Sequence, residues 1–162
     1  MKTKLFTLIF LSLLTFSSIS QVTLSSVDLS GASIPTVGSN LIIPINVANV
    51  PDFYTLTAVI EYDQSVLEYD GYQDAAVTMG SINISTNQIS VEFGVFSFPP
   101  VALELEDGLA VNLIFKYRGG NSSFDFIVNN TDPEVASNYL DVNVIQSPIS
   151  NVTNGSITGG TV

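Results

Sequence analysis

A strand, a tight turn and a second strand follow one another directly between Ala58 and Tyr72. The first part of this stretch alternates its side chains between two sides of an extended chain, as a half-buried strand requires. Short polar residues at 63–65 then predict a turn, because their side chains bond to their own backbone and end a ladder. β-branched and aromatic residues resume at 66–69 and predict the second strand. A chain organised around this corner is expected to fold into β-sheets.

Similar short runs continue along the chain and are separated by turn residues. A clear example is 89–93, in which three apolar residues alternate with Ser90 and Glu92. We find no internal repeat, no linker and no helical period beyond one expected turn over Val101–Glu106. The pattern predicts an all-β fold, with eight or nine strands in a single β-sandwich domain over residues 21–162.

Two strands have properties that place them within the sheets. Pro44 has no backbone N–H, so its strand is predicted to be an edge strand or to be broken at that residue. The run Leu109–Tyr117 is apolar on both sides, which predicts the most buried strand of the fold.

The composition excludes most kinds of catalytic site. The chain has no His and no Cys, which removes the usual general base, the thiol nucleophile and most transition-metal ligands. Glu61 and Glu92 are candidates for a glycosidase pair, but outward carboxylates on so acidic a protein are usually solvated surface. The oxygen-rich loop at 129–134 lacks the alternating frame and central Gly of an EF-hand calcium loop. We therefore predict no enzyme activity, no cofactor and no metal site.

The first twenty residues predict a secretory signal peptide, residues 1–20. Lys2 and Lys4 precede an apolar run from Leu5 to Phe16, and small residues follow up to Ser20. This run is short for a membrane span, so we expect cleavage and secretion, with an uncleaved membrane tether as the alternative. Cleavage removes two of the four basic residues and none of the 15 acidic ones. Such a surface repels nucleic acid and anionic lipid, which excludes both as partners.

Three segments, in this order and spacing, resemble the cohesin module, a β-sandwich that binds dockerin modules. They are the strand end Tyr62-Asp63 with the following Val66-Leu67-Glu68, the Asp-Gly start and Lys end of Asp107–Lys116, and the final strand Asn154–Thr158. The similarity extends over roughly Val27 to Gly160. It implies nine strands in a flattened jelly roll. It also implies that the partner is a calcium-loaded dockerin in an extracellular polysaccharide-degrading or cell-surface assembly.

The resemblance implies a binding face formed by the third, fifth, sixth and eighth strands and their loops. Carried over by position, its partner-binding residues are Thr55, Thr57, Val59, Glu61, Ser90, Glu92, Val95, Phe96, Asp125 and Ile127. Cohesins often have Asn and Asp where Thr55 and Thr57 stand, and an acidic residue where this chain has Val95 and Phe96. The apolar loop Gly94–Pro100 therefore predicts either a more hydrophobic docking site or a loop that covers the end of the core.

Two other functions stay open for the same sandwich fold. One is direct binding of polysaccharide, for which Tyr54, Tyr69, Tyr72, Phe96, Phe98 and Tyr139 are the candidate stacking rings in a chain without Trp. The other is a structural adhesion module. The fold alone does not decide among them.

Overall fold

The computed structural model describes residues 22–29, 35–94, 97–128, 136–149 and 151–159. Within these ranges the chain forms twelve strands, and no helix there is able to cross a membrane. In chain order the strands are β1 (Thr23–Ser25), β2 (Asn40–Ala48), β3 (Phe53–Glu61), β4 (Leu67–Gln73), β5 (Met79–Ser85), β6 (Gln88–Phe93), β7 (Gly108–Tyr117), β8 (Asn121–Phe126), β9 (Asn138–Asp141), β10 (Gln146–Pro148), β11 (Asn151–Thr153) and β12 (Gly155–Thr158).

The strands form two sheets around one apolar core, which confirms the predicted all-β sandwich. The first sheet has the order β11-β1-β2-β7-β4, and the second has the order β10-β9-β3-β6-β5. Strand β8 also pairs with β3, and β12 pairs with β8. The count exceeds the predicted nine because the last part of the chain contains a short hairpin, β9–β10, and a closing strand divided into β11 and β12.

Aromatic rings join the two sheets in the core. The Phe115 ring, from β7 of the first sheet, lies 5.1 Å from the ring of Tyr62, which directly follows β3 of the second sheet, and 5.7 Å from the ring of Phe124 in β8. Tyr69 of β4 packs against Phe115 from its own sheet at 5.8 Å. Rings at these separations favour edge-to-face contact, which stabilises the core beyond simple burial. Burial also raises the pKa of Tyr62, because the phenolate would lose its hydration.

The closing strand changes sheets at Asn154. Before this residue, β11 pairs with β1 of the first sheet, and after it β12 pairs with β8 of the second. The Asn154 side chain fixes the crossing, because its Oδ1 accepts from the Phe126 N–H at 3.0 Å and its Nδ2 donates to Asp125 Oδ1 at 2.9 Å. Gly155 follows because a Cβ there would lie 2.3 Å from the Val27 carbonyl oxygen.

The prediction for Pro44 holds only locally, because β2 is an interior strand of its sheet and is not broken at this residue. Pro44 lies opposite Asn112 in the β2–β7 ladder, whereas β1 pairs only with Asn46–Ala48 at the other end of β2. The half of β2 that contains Pro44 therefore has a described neighbour on one side alone, as at an edge, where Pro is tolerated.

Two other local predictions are wrong. Strand β3, not β7, has the most continuous burial, because both of its sides are covered along most of its length whereas Asn112, Ile114 and Lys116 of β7 lie on a solvated side. The expected helical turn over Val101–Glu106 is also absent. Leu103 instead forms a bridge with Phe53, donating its N–H to the Phe53 carbonyl oxygen at 2.8 Å.

Candidate functional site

Strands β5, β6, β3 and β8 lie side by side in the second sheet and present one side away from the core. The side is set by alternation, because Ile89, Val91 and Phe93 of β6 are fully buried and the residues between them face the other way. We call the outward set the polar face. Its members are Thr57 and Glu61 of β3, Ser81 and Asn83 of β5, Ser90 and Glu92 of β6, and Asp125 of β8.

The register brings these residues from different strands together. Thr57 lies opposite Glu92, and Ser90 lies opposite Asn83. Glu92 Oε2 accepts from Ser81 Oγ at 2.8 Å, and Ser81 Oγ in turn accepts from Asn83 Nδ2 at 3.2 Å. The carboxylate of Glu92 is therefore held in place by its neighbours and still keeps its second oxygen for other contacts.

A pair of like charges lies at one end of the polar face. Glu61 of β3 is directly opposite Asp125 of β8. Like charges in this position destabilise an antiparallel pair. The two carboxylates line an open hollow of about 360 Å³ together with Asp63, Asn87 and Ser123. A positively charged group of a partner would relieve their repulsion.

The described cations lie away from this face. Lys116 is in β7 of the first sheet, and Arg118 follows that strand. Arg118 forms an ion pair with Glu68 at 2.7 Å, and its hydrogen bond and charge lower the pKa of the Glu68 carboxyl. Glu61, Glu92 and Asp125 therefore have no Lys or Arg beside them on the polar face in the part of the chain described. The face has a net negative charge.

The sequence-predicted residues divide into exposed and covered positions. Glu61 is exposed, and Thr57, Ser90, Glu92, Asp125 and Ile127 are partly exposed. All six lie on or beside the polar face, since Ile127 donates its N–H to the Val59 carbonyl oxygen at 2.8 Å.

Thr55 and Val59 do not lie on the open part of the polar face, because each side chain is only 2% exposed, and their predicted role in binding stays a prediction. Beside Val59 lies the returning chain, since Ser137 Oγ accepts from the Val59 backbone N–H at 3.0 Å. Thr55 lies beside the tight approach of Gly94 to β3. Neither side chain is therefore part of the solvent-exposed surface of the second sheet.

The loop after β6 has a mixed outcome. Val95 and Phe96 lie outside the described residues, so their predicted role stays a prediction. Phe98 in the same loop is 99% exposed, so this ring does not cover the core. Sequence reasoning did not assign Phe98, Ser81 or Asn83 to the partner-binding set. The alternation of Ser81 and Asn83 with Ile82 and Ile84 is the signal that identifies the two β5 residues.

The structure gives some information on the two other kinds of site considered, a metal site and a row of sugar-stacking rings. The oxygen-rich loop at 129–134 lies outside the described residues, and no group of three or more potential metal ligands is found in the described ranges. Among the candidate stacking rings, Tyr54 is 5% exposed, Tyr72 is 47% exposed in β4 of the first sheet, and Phe98 follows β6 of the second. Of the candidate rings that the structure describes, the two most exposed therefore lie on a strand of the first sheet and in a loop that follows the second.

Comparison with known proteins identifies the family. The model of the Cohesin domain matches residues 25–158, most of the chain. The chain belongs to the cohesin family. Cohesins are non-catalytic binding modules. A search of curated proteins found no significant match.

Solved cohesin structures share the fold at low sequence identity. The sixth cohesin of Acetivibrio cellulolyticus scaffoldin B, solved in complex with a Cel5 dockerin mutant, has a TM-score of 0.62 and 19% identity, covering 86% of this chain and 99% of that one. The seventh ScaB type I cohesin of Pseudobacteroides cellulosolvens has a TM-score of 0.63 and 18% identity, covering 88% and 94%. A non-cellulosomal cohesin of the archaeon Archaeoglobus fulgidus has a TM-score of 0.61 and 14% identity, covering 87% and 92%.

Proposed function

We propose that this cohesin recognises a calcium-loaded dockerin-type module through the polar face, without catalysis. The observation that supports this best is a sheet surface with three carboxylates, Glu61, Glu92 and Asp125, and no described cation among them. Such a surface attracts a basic partner and speeds its association. Thr57, Ser81, Asn83 and Ser90 add short hydroxyl and amide groups that can hydrogen-bond to the partner's backbone.

The proposal includes the setting in which binding occurs. A leader over residues 1–20 would direct the chain out of the cell, and the single domain over 21–162 would act there in a polysaccharide-degrading or cell-surface assembly. The acidic composition fits this setting, because the formal net charge of −11 favours solubility and opposes contact with nucleic acid.

The test uses each dockerin module encoded in the source genome, produced separately and mixed with the chain from residue 21 onward. Binding is measured by calorimetry in calcium and again in a chelator, because a dockerin that folds around calcium loses its structure without the ion. A chelator-sensitive complex is the expected result. Glu92→Gln and Asp125→Asn should then weaken binding at low salt more than at high salt. As a control, Asp70→Asn removes a carboxylate from β4 of the first sheet and should leave binding unchanged.

Glycan binding is the competing outcome. If no dockerin binds, and the protein is retained on insoluble polysaccharide, the fold assignment stands and the proposed partner is wrong. A complex that survives the chelator would also contradict the proposal.

A further inference from the structure

An apolar loop segment that follows β6 is exposed in the part of the chain described. Phe98 is 99% exposed and Val101 is 59% exposed, both between β6 and β7. Single exposed apolar side chains are common on protein surfaces, but an almost fully exposed Phe near two prolines and a Val is a larger apolar feature.

The segment is attached firmly to the sheet. The Tyr54 hydroxyl donates to the Ser97 carbonyl oxygen and accepts from the Ser97 N–H, both at 2.8 Å. Ser97 Oγ donates to the Pro99 carbonyl oxygen at 3.1 Å. A ring that is exposed on an anchored loop loses little conformational freedom when a partner covers it.

The position of the anchor places Phe98 beside the polar face. The register of β3 with β9 shifts between Phe53 and Thr55, so strict alternation is interrupted there. Phe53 and Leu56 belong to the core cluster whereas Tyr54, between them, does not, which indicates that Tyr54 lies on the outer side of β3. Thr57 of the polar face is three residues further along β3, about 10 Å at the rise of a strand. The loop and the carboxylates therefore fit within one contact surface of ordinary size.

Charge indicates what covers the segment. The Phe53–Leu103 bridge brings Asp52 and Glu104 next to each other, and both are exposed. Glu92 of the polar face lies opposite Thr57. A second copy of this acidic chain would bring further carboxylates against these, which opposes self-association. A basic surface would be attracted.

We propose that Phe98, supported by Val101, is an apolar anchor that inserts into a recess on the dockerin partner, with basic residues of the partner around that recess. This inference rests on the proposed function. It adds a second kind of contact to it, because the carboxylates act on the association rate whereas a buried aromatic ring acts on the dissociation rate.

The absence of Trp from the chain allows a direct test. Phe98→Trp places a single indole at the proposed anchor, and Val37→Trp places one at a matched control position that is 55% exposed in the turn before β2. The probe is the dockerin that binds in the calorimetric test, with any Trp of its own replaced by Phe. Binding should shift the emission of Phe98→Trp to shorter wavelength and leave that of Val37→Trp unchanged.

Affinity measurements complete the test. Phe98→Ala should weaken binding at least tenfold, which corresponds to about 1.4 kcal/mol, mainly through faster dissociation and with an unchanged salt dependence. Phe98→Leu, which keeps an apolar side chain, should retain most of the affinity.

The inference alone is overturned if the dockerin binds wild type but neither shifts the Phe98→Trp emission nor loses affinity for Phe98→Ala. It is also overturned if sedimentation shows a wild-type dimer that Phe98→Ala abolishes, because the anchor would then serve a second copy. If no dockerin binds wild type, the proposed function fails and this inference fails with it.

Discussion

The hydroxyl of Tyr54 makes two hydrogen bonds to the backbone of Ser97, donating to the carbonyl oxygen and accepting from the N–H, each at 2.8 Å. A single phenol group can do both because it is a donor and an acceptor at once. Tyr54 belongs to β3, whereas Ser97 lies in the loop between β6 and β7. This one side chain therefore connects the main strand of the second sheet to the loop that presents Phe98.

Tyr54→Phe should lower the free energy of unfolding by about 1–3 kcal/mol, because both backbone groups of Ser97 lose a partner in a partly buried position. Urea unfolding measures the change, and hydrogen exchange at the Ser97 amide should become faster. The control is Tyr72→Phe, which removes a hydroxyl from a side chain that is 47% exposed. Equal losses of stability in the two variants would show that the hydrogen bonds between Tyr54 and Ser97 do not stabilise the loop.

Glu61→Gln should affect stability and binding in opposite directions. The change removes the charge opposite Asp125, so the free energy of unfolding should rise slightly, by less than about 1 kcal/mol. The association rate with a basic dockerin should fall, because the face loses one negative charge. Stopped-flow association and urea unfolding measure the two effects. Slower association without any gain in stability would show that Glu61 and Asp125 do not repel each other.

Asn154→Ala should destabilise the sheet crossing by about 1–3 kcal/mol, because the Phe126 N–H loses its acceptor. Hydrogen exchange at the Phe126 amide should report this loss locally. Asn154→Asp keeps an acceptor for that N–H but places a second carboxylate next to Asp125, so it should also destabilise at neutral pH. Asn83→Ala removes one exposed hydrogen bond and should have the smallest effect. If Asn154→Ala leaves the free energy of unfolding unchanged, backbone pairing alone fixes the change of sheet.

The stability of the β9–β10 hairpin should depend on pH through the carboxyl group of Asp141. Its carboxylate accepts from the backbone N–H groups of Ile145 and Asn143, each at 2.8 Å. The Ile145 bond is the largest cause of a pKa below the ordinary value of 3.8, and the Asn143 bonds lower the pKa further. A lowered native pKa stabilises the fold at pH values above the unfolded pKa, and this contribution is lost as the pH falls through the native pKa.

The comparison of wild type with Asp141→Asn measures this contribution. Their difference in unfolding free energy should be constant near neutral pH and should shrink as the pH falls below the ordinary carboxyl range. Asp74→Asn is a control in a different turn. A difference between wild type and Asp141→Asn that does not change with pH would show that the carboxylate charge is not involved.

Alternation in the sequence was sufficient to predict the β-sandwich and the main strands, because apolar residues at every second position have to share a buried side. It also identified the outward sides of β3 and β6. It did not show that Thr55 and Val59 are covered, because a period of two gives the side of a residue and not what lies over that side. The neighbours of Val59 include Ser137, which hydrogen-bonds to its backbone N–H and is far away in the sequence.

The division of the closing strand into β11 and β12 could not be predicted from the local sequence either, because it depends on residues that are distant in the chain. Asn154 ends β11 through hydrogen bonds to Phe126 and Asp125, which are 28 and 29 residues away. The resemblance to cohesins located the strand correctly as the last one, and its change of sheet depends on those distant partners. The loop Gly94–Pro100 was predicted either to dock a partner or to cover the core, and Phe98 itself was named only as a candidate sugar-stacking ring, because an apolar loop has no periodicity from which exposure can be predicted.

The parallel pairing of β1 with β11 has a mechanical consequence. Thr23–Ser25 lies beside Asn151–Thr153 in the same direction, and Asp28 continues the pairing at Ser156. A pull that separates Val22 from Gly159 along the strands therefore loads all of these hydrogen bonds in shear at the same moment. Antiparallel strands pulled from their shared end would instead open one bond at a time. The fold should therefore resist tension along β1 and β11 more strongly than tension that peels these two strands apart.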